Sequence, residues 1–94
     1  MNGNIRDMWQ TLKQLKRRSE MTEIELLETI IEAEEFIESI ESSELRIMFR
    51  LYYIDDLTWV QTAHAMSNMF KNRVYTEESC QKKNERFFKS LRKR

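Results

Sequence analysis

Residues 51–91 read LYYIDDLTWVQTAHAMSNMFKNRVYTEESCQKKNERFFKSL, and this stretch decides the fold. Its apolar start runs into an acidic turn, and two capped helices follow. Thr58 and Gln61 form a capping box that opens the first of these helices, and Thr76 is the N-cap of the second. The chain has no Pro and one Gly near its start, so no residue inside it obliges a helix to break. The sequence therefore predicts an all-α protein of about five helices.

Two further helices are predicted ahead of this stretch, and each has an apolar face. The first spans about residues 5–18, and Trp9 lies beside its apolar stripe, either in the core or at an interface. The second runs from a capping box at Thr22 and Glu25 to about Ser42. Its apolar residues alternate spacings of four and three, as in a coiled-coil seam: Leu26, Ile30, Ala33, Ile37 and Ile40.

This seam has two interpretations, and the sequence leaves both open. It can pack antiparallel against the first helix within one monomer, or it can form the interface of a dimer. The same helix carries additional apolar residues, more than one short helix covers: Ile24, Leu27, Ile31 and Phe36. Because soluble monomers rarely expose such a patch, we expect a homodimer or a higher oligomer.

The formal net charge is zero, but the charges are strongly segregated along the chain. Residues 20–44 contain ten acidic residues and no basic one. Residues 71–94 contain nine basic and three acidic residues. A basic block of this kind is compatible with nucleic-acid binding even though the total charge is balanced.

The third, fourth and fifth predicted helices follow one another in the order of a helix-turn-helix unit. The third, about residues 44–54 with Ser43 as its N-cap, is apolar on nearly every side, which is typical of a helix at the centre of a bundle. We therefore divide the chain into a helical arm for packing and oligomerisation, residues 1–43, and a DNA-binding helix-turn-helix unit, residues 44–94. In such a unit the last helix, here residues 76–91, lies in the major groove of double-stranded DNA.

The exposed face of this last helix carries the candidate DNA contacts. The side chains that could reach base edges lie near its N-terminal half: Glu78, Gln81, Lys82 and Glu85. Phosphate contacts are expected from the remaining basic side chains and the N-cap: Thr76, Lys83, Arg86, Lys89, Arg92 and Lys93. The alternative is that this basic helix is solvated and does not contact DNA. The carboxylates on its exposed face favour this alternative, because DNA phosphates repel them.

Several other classes of function are not expected. His64 and Cys80 are each the only residue of their type, so no disulfide can form within the chain, and no zinc site or catalytic triad can be assembled. We expect no cofactor and no enzymatic activity. The first thirty residues contain no signal-peptide run and no transmembrane stretch is present, so a cytoplasmic protein without a membrane partner is expected.

Four segments of the second half carry a family resemblance: LRIMFRLYYI at 45–54, DDL at 55–57, TWVQTA at 58–63 and YTEES at 75–79. With them, residues 44–91 resemble region 4 of sigma-70-type transcription factors, in particular short phage-encoded proteins such as late-gene activators. The resemblance implies a phage transcription regulator, with RNA polymerase as a further partner. Two features depart from the family pattern. Thr62 stands at a position where such modules usually have an aliphatic residue, and the connection between the last two helices is longer than the turn of a minimal helix-turn-helix.

Two alternative functions share parts of this pattern. A phage terminase small subunit also combines a helix-turn-helix with an oligomerising helical segment, and a ring-shaped assembly would favour it over a transcription regulator. A protein-binding inhibitor would use the acidic helix at residues 22–42 and would not meet DNA. Salt-sensitive binding to duplex DNA separates the first two functions from the third.

Overall fold

The computed structural model describes residues 9, 10, 13, 14 and 22–92, and every regular element within them is a helix. The protein is therefore all-α, as the sequence predicts. The helices are α1 (Glu23–Glu38), α2 (Ser43–Phe49), a π-helical segment (Arg50–Ile54), α3 (Trp59–Met69) and α4 (Glu77–Arg92). Four residues of the first predicted helix are described, and they are helical.

The predicted start signals of α1 and α3 are confirmed. The Thr22 hydroxyl accepts a bond from the backbone N–H of Glu25 at 3.1 Å, and the Glu25 carboxylate accepts one from the Thr22 N–H at 3.2 Å. Thr58 and Gln61 form the same reciprocal pair at 3.1 and 2.9 Å. Each pair satisfies two N–H groups that the first helical turn leaves without a partner, which is why the helices begin at these residues.

The junction between α1 and α2 corrects two predicted boundaries. α1 ends at Glu38 rather than near Ser42, and Ser42 rather than Ser43 is the N-cap of α2. The Ser42 hydroxyl accepts a bond from the backbone N–H of Leu45 at 3.2 Å. The guanidinium of Arg46 donates to carbonyl oxygens in this junction, those of Ile40 and Glu41. The four residues between the two helices, 39–42, therefore form a separate junction that is held by its own hydrogen bonds.

The third predicted helix, about residues 44–54, is also corrected. It is α-helical only as far as Phe49 and then continues as the π-helical segment. The backbone N–H of Asp55 bonds the carbonyl of Arg50, five residues back, at 2.9 Å. Asp56 then adopts a left-handed conformation, with φ 62°, and ends the element. Asp is one of the few non-glycine residues that accept this conformation readily.

The chain separates into two compact units, residues 1–56 and residues 57–94. The first unit has an aromatic core around Trp9, which is fully buried. Ring centroids lie 4.9 Å from Trp9 at Tyr53, 5.4 Å at Phe36 and 5.6 Å at Phe49, in tilted or edge-to-face geometry. The sequence leaves Trp9 between core and interface, and the structure places it in the core.

A pair of ion pairs ties the π-helical segment to α1 in the first unit. The Arg50 guanidinium lies 3.1 Å from a carboxylate oxygen of Glu34 and 3.0 Å from one of Glu38. Two of the seven glutamates of α1 are thereby neutralised within the unit. The remaining five are not opposed by any basic residue of the same helix, because α1 contains none.

The second unit consists of α3 packed against α4, with the connection between them tied to α3. The Ser67 hydroxyl accepts a bond from the backbone N–H of Tyr75 at 3.0 Å and donates to its carbonyl at 3.3 Å. Tyr75 itself is buried, and its ring lies 6.0 Å from that of Phe70. The buried residues of the two helices are Thr62, Ala63, Met66, Cys80, Asn84 and Phe88.

Thr62 contributes a polar atom to this otherwise largely apolar core. Its side chain is fully buried, and its hydroxyl finds no hydrogen-bond partner within the described part of the chain. A buried hydroxyl in this state costs free energy because it has lost its bonds to water.

We expect Thr62→Val to raise the free energy of unfolding by about 1 kcal/mol, because it removes this hydroxyl with little change of shape. Thermal melting followed by circular dichroism measures the change. Thr62→Ser is the matched control, since it keeps the hydroxyl and removes the methyl group, and it should lower the melting temperature. A Val variant that melts below the wild-type protein would contradict the prediction.

Candidate nucleic-acid interface

α4 has two chemically distinct faces. Cys80, Asn84 and Phe88, spaced by four residues, form its buried stripe. The four predicted base contacts are all exposed on the rest of the helix surface: Glu78, Gln81, Lys82 and Glu85. Because 3.6 residues make one turn, Glu78, Lys82 and Glu85 lie on the side opposite the buried stripe, and Gln81 flanks them. Helical spacing thus brings the candidate base contacts together on one solvated surface.

The predicted phosphate contacts are less uniform. Thr76, Arg86 and Lys89 are exposed, whereas Lys83 is half-buried. Arg92 is the last residue of α4, and its side chain lies outside the described part of the structure, as does the whole of Lys93. Lys71 and Arg73, in the connection to α4, are also exposed. The site prediction omits these two residues, although they belong to the same basic block of the sequence.

The start of α4 is held by a reciprocal pair of hydrogen bonds. The Thr76 hydroxyl accepts from the backbone N–H of Ser79, and the Ser79 hydroxyl accepts from the N–H of Thr76, both at 3.0 Å. The predicted N-cap is therefore confirmed, with Ser79 in the place that Glu or Gln occupies in the usual capping box. Since a hydroxyl both accepts and donates, Thr76 keeps its O–H for a second bond.

The charges on the exposed face of α4 are sorted into two edges. Helical geometry places Lys82, Arg86 and Lys89 along one edge and Glu78 and Glu85 along the other. The Lys82 ammonium lies 3.6 Å from a Glu78 carboxylate oxygen, and both side chains are well exposed. An ion pair of this kind contributes little to stability and exchanges readily for another partner. The basic edge is therefore able to meet an anion without disrupting the fold.

The predicted oligomer seam on α1 is partly used within the chain. Ala33, Ile37 and Ile40 are buried, while Leu26 and Ile30 are half-buried. Three of the five seam side chains are thus packed without a second copy of the protein. Self-association through the seam stays a prediction, and sedimentation velocity on the intact chain tests it.

The described ranges, 22–92 and the four helical residues before them, hold no metal site of the usual kind. They contain no cluster of three or more His, Cys, Asp or Glu side chains arranged to hold a metal ion. No helix there combines the length and the apolar character that crossing a membrane requires. Comparison of the sequence with protein-family models and curated proteins, and of the fold with solved structures, found no match.

Proposed function

We propose that the protein binds duplex DNA in a sequence-specific manner and acts as a transcription regulator of phage type. The observation that carries this proposal is the exposed face of α4, where polar side chains able to read bases lie beside a basic edge. A helix fits the major groove of B-form DNA, so its exposed side chains then meet base edges. The order of capped helices and the resemblance to sigma-70 region 4 support the same function, and they suggest RNA polymerase as a further partner.

The side chains of α4 divide into two roles in this proposal. Gln81 can form two hydrogen bonds with adenine, and Lys82 can donate to guanine once it leaves Glu78. The carboxylates of Glu78 and Glu85 can accept from the amino group of cytosine. Arg86 and Lys89 neutralise phosphates, which sets the position of the helix without reading sequence.

Binding should depend strongly on salt. Each phosphate that the basic edge neutralises contributes about −0.9 to the slope of log affinity against log salt concentration. Fluorescence anisotropy with a labelled random-sequence duplex measures that slope. An affinity that does not change with salt, or no binding at about 50 mM salt, would show that the protein does not function by binding duplex DNA.

The two roles within α4 predict different behaviour for two lysine variants. A preferred site is first selected from a random duplex pool with the intact protein. Lys82→Ala should then cost about 1–3 kcal/mol at that site and relax base preference at one position. Lys89→Ala should weaken binding to the selected site and to random duplex by the same factor. Equal losses on both duplexes for Lys82→Ala would show that this lysine reads no base.

A further inference from the structure

α1 leaves an apolar stripe exposed on the side that faces away from the core of the first unit. Ile24 is 70% exposed, Leu27 58% and Ile31 46%. Their spacing of three and four residues puts them in one line along the helix, whereas Ala33 and Ile37 point into the core. Three aliphatic side chains aligned in this way form a continuous strip of the kind that marks an interaction surface. The DNA contacts proposed above lie in the other unit.

Glutamates border this stripe on both edges. Glu28 and Glu35 lie along one edge, and both are exposed. Glu34 lies on the other edge, and Glu38, seven residues after Ile31, continues the line of the stripe; both are already paired with Arg50. The helix as a whole has seven glutamates and no basic residue. The stripe is therefore apolar along its centre and negative along the edge that Glu28 and Glu35 form, since Arg50 neutralises the glutamates on the other side.

We propose that the stripe, defined as Ile24, Leu27 and Ile31, docks an amphipathic helix of a partner protein that carries Lys or Arg beside its own apolar residues. Apolar contacts along the centre and ion pairs along the border would then be satisfied together. This partner is additional to DNA: the stripe belongs to the first unit, whereas the proposed DNA contacts belong to the second.

A second copy of the chain fits the stripe poorly. Two α1 helices packed through it would bring fourteen glutamates together, of which the Arg50 residues of the two copies neutralise four, and neither helix supplies a cation. The basic helices of a second copy are already engaged in their own units: Cys80 and Phe88 of α4 are buried, and so are Trp9 and Lys13 of the first predicted helix. Charge complementarity therefore favours a basic helix of another protein over self-association.

The test uses the full chain and a synthetic helical peptide of about five turns, roughly 18 residues. The peptide has Leu at spacings of three and four and Lys beside each Leu, and it is labelled for fluorescence anisotropy. A second peptide has Glu in place of every Lys, and a third has the first composition in scrambled order. We expect saturable binding of the Lys peptide that weakens with salt, and no binding of the other two.

Substitutions then assign binding to the stripe. Leu27→Gln combined with Ile31→Gln should weaken the Lys peptide at least about tenfold, because the apolar contact is lost while every charge is kept. The matched control is Val60→Gln, which replaces a 59% exposed apolar residue of α3 and should change nothing. Glu28→Lys combined with Glu35→Lys should weaken the Lys peptide and create binding of the Glu peptide. All variants should bind duplex DNA as the intact chain does.

Three results would overturn the proposal. The first is absence of binding to the Lys peptide at low salt. The second is equal binding of the Lys, Glu and scrambled peptides, which would mean that the border does not select a partner. The third comes from sedimentation velocity: an intact chain that is dimeric, with a monomeric Leu27→Gln and Ile31→Gln variant, would make a second copy the occupant of the stripe.

Discussion

Replacing Trp9 with Ala should lower the free energy of unfolding by about 3–5 kcal/mol, the largest single effect expected in this protein. Trp9 is fully buried, and three aromatic rings surround it with centroids 4.9–5.6 Å away. Removing the indole leaves a cavity, and it also removes the edge-to-face contacts with Phe36 and Phe49. Urea denaturation followed by circular dichroism measures the change.

Two control variants make this prediction specific to the aromatic core. Trp9→Phe keeps an aromatic ring of smaller volume and should cost clearly less than Trp9→Ala. Trp59→Ala removes the other tryptophan, which is half-buried, and should also cost less. If Trp9→Ala unfolded at the same urea concentration as the wild-type protein, Trp9 could not be the centre of the core of the first unit.

Replacing Lys13 with Met should cost about 2–3 kcal/mol, the second largest effect. Lys13 is only 7% exposed. Its ammonium donates to the carbonyl of Tyr52 at 2.7 Å, lies 3.1 Å from the Asp56 carboxylate, and sits 3.8 Å from the centroid of the Tyr52 ring. Met retains the apolar stem but removes the cation from the end of the π-helical segment. Because the Asp56 side chain is partly exposed, water compensates for some of the loss.

Asp56→Asn separates the ion pair from the other contacts of Lys13. Asn accepts the left-handed backbone as Asp does, so this variant removes the negative charge without backbone strain. It should cost less than Lys13→Met, because the bond to Tyr52 and the contact with its ring remain. A double-mutant cycle of the two substitutions isolates the ion pair. Additive effects of the two changes would mean that the pair contributes nothing to stability.

Local interactions made much of the helical structure predictable. The capping boxes at Thr22 and Thr58 involve residues only three positions apart, so the start of α1 and of α3 can be inferred from composition and spacing alone. The same applies to the N-cap at Thr76. The exposed position of the candidate base contacts on α4 follows from helical periodicity. Apolar residues recur about every 3.6 residues along one face of the helix, which leaves the polar residues on the opposite face.

Features that depend on contacts between distant residues could not be predicted in this way. Residues 1–19 contain five basic residues and one acidic one, a composition that suggests solvent exposure. Lys13 of this stretch is nevertheless buried against Tyr52 and Asp56, about forty residues away. The break of the third predicted helix into an α-helix and a π-helical segment has no sequence signal. On α1, both the seam and the additional apolar residues look suited to burial. Which apolar residues enter the core and which stay exposed is decided by the helices that pack against α1, because amphipathic periodicity defines faces but does not select their partners.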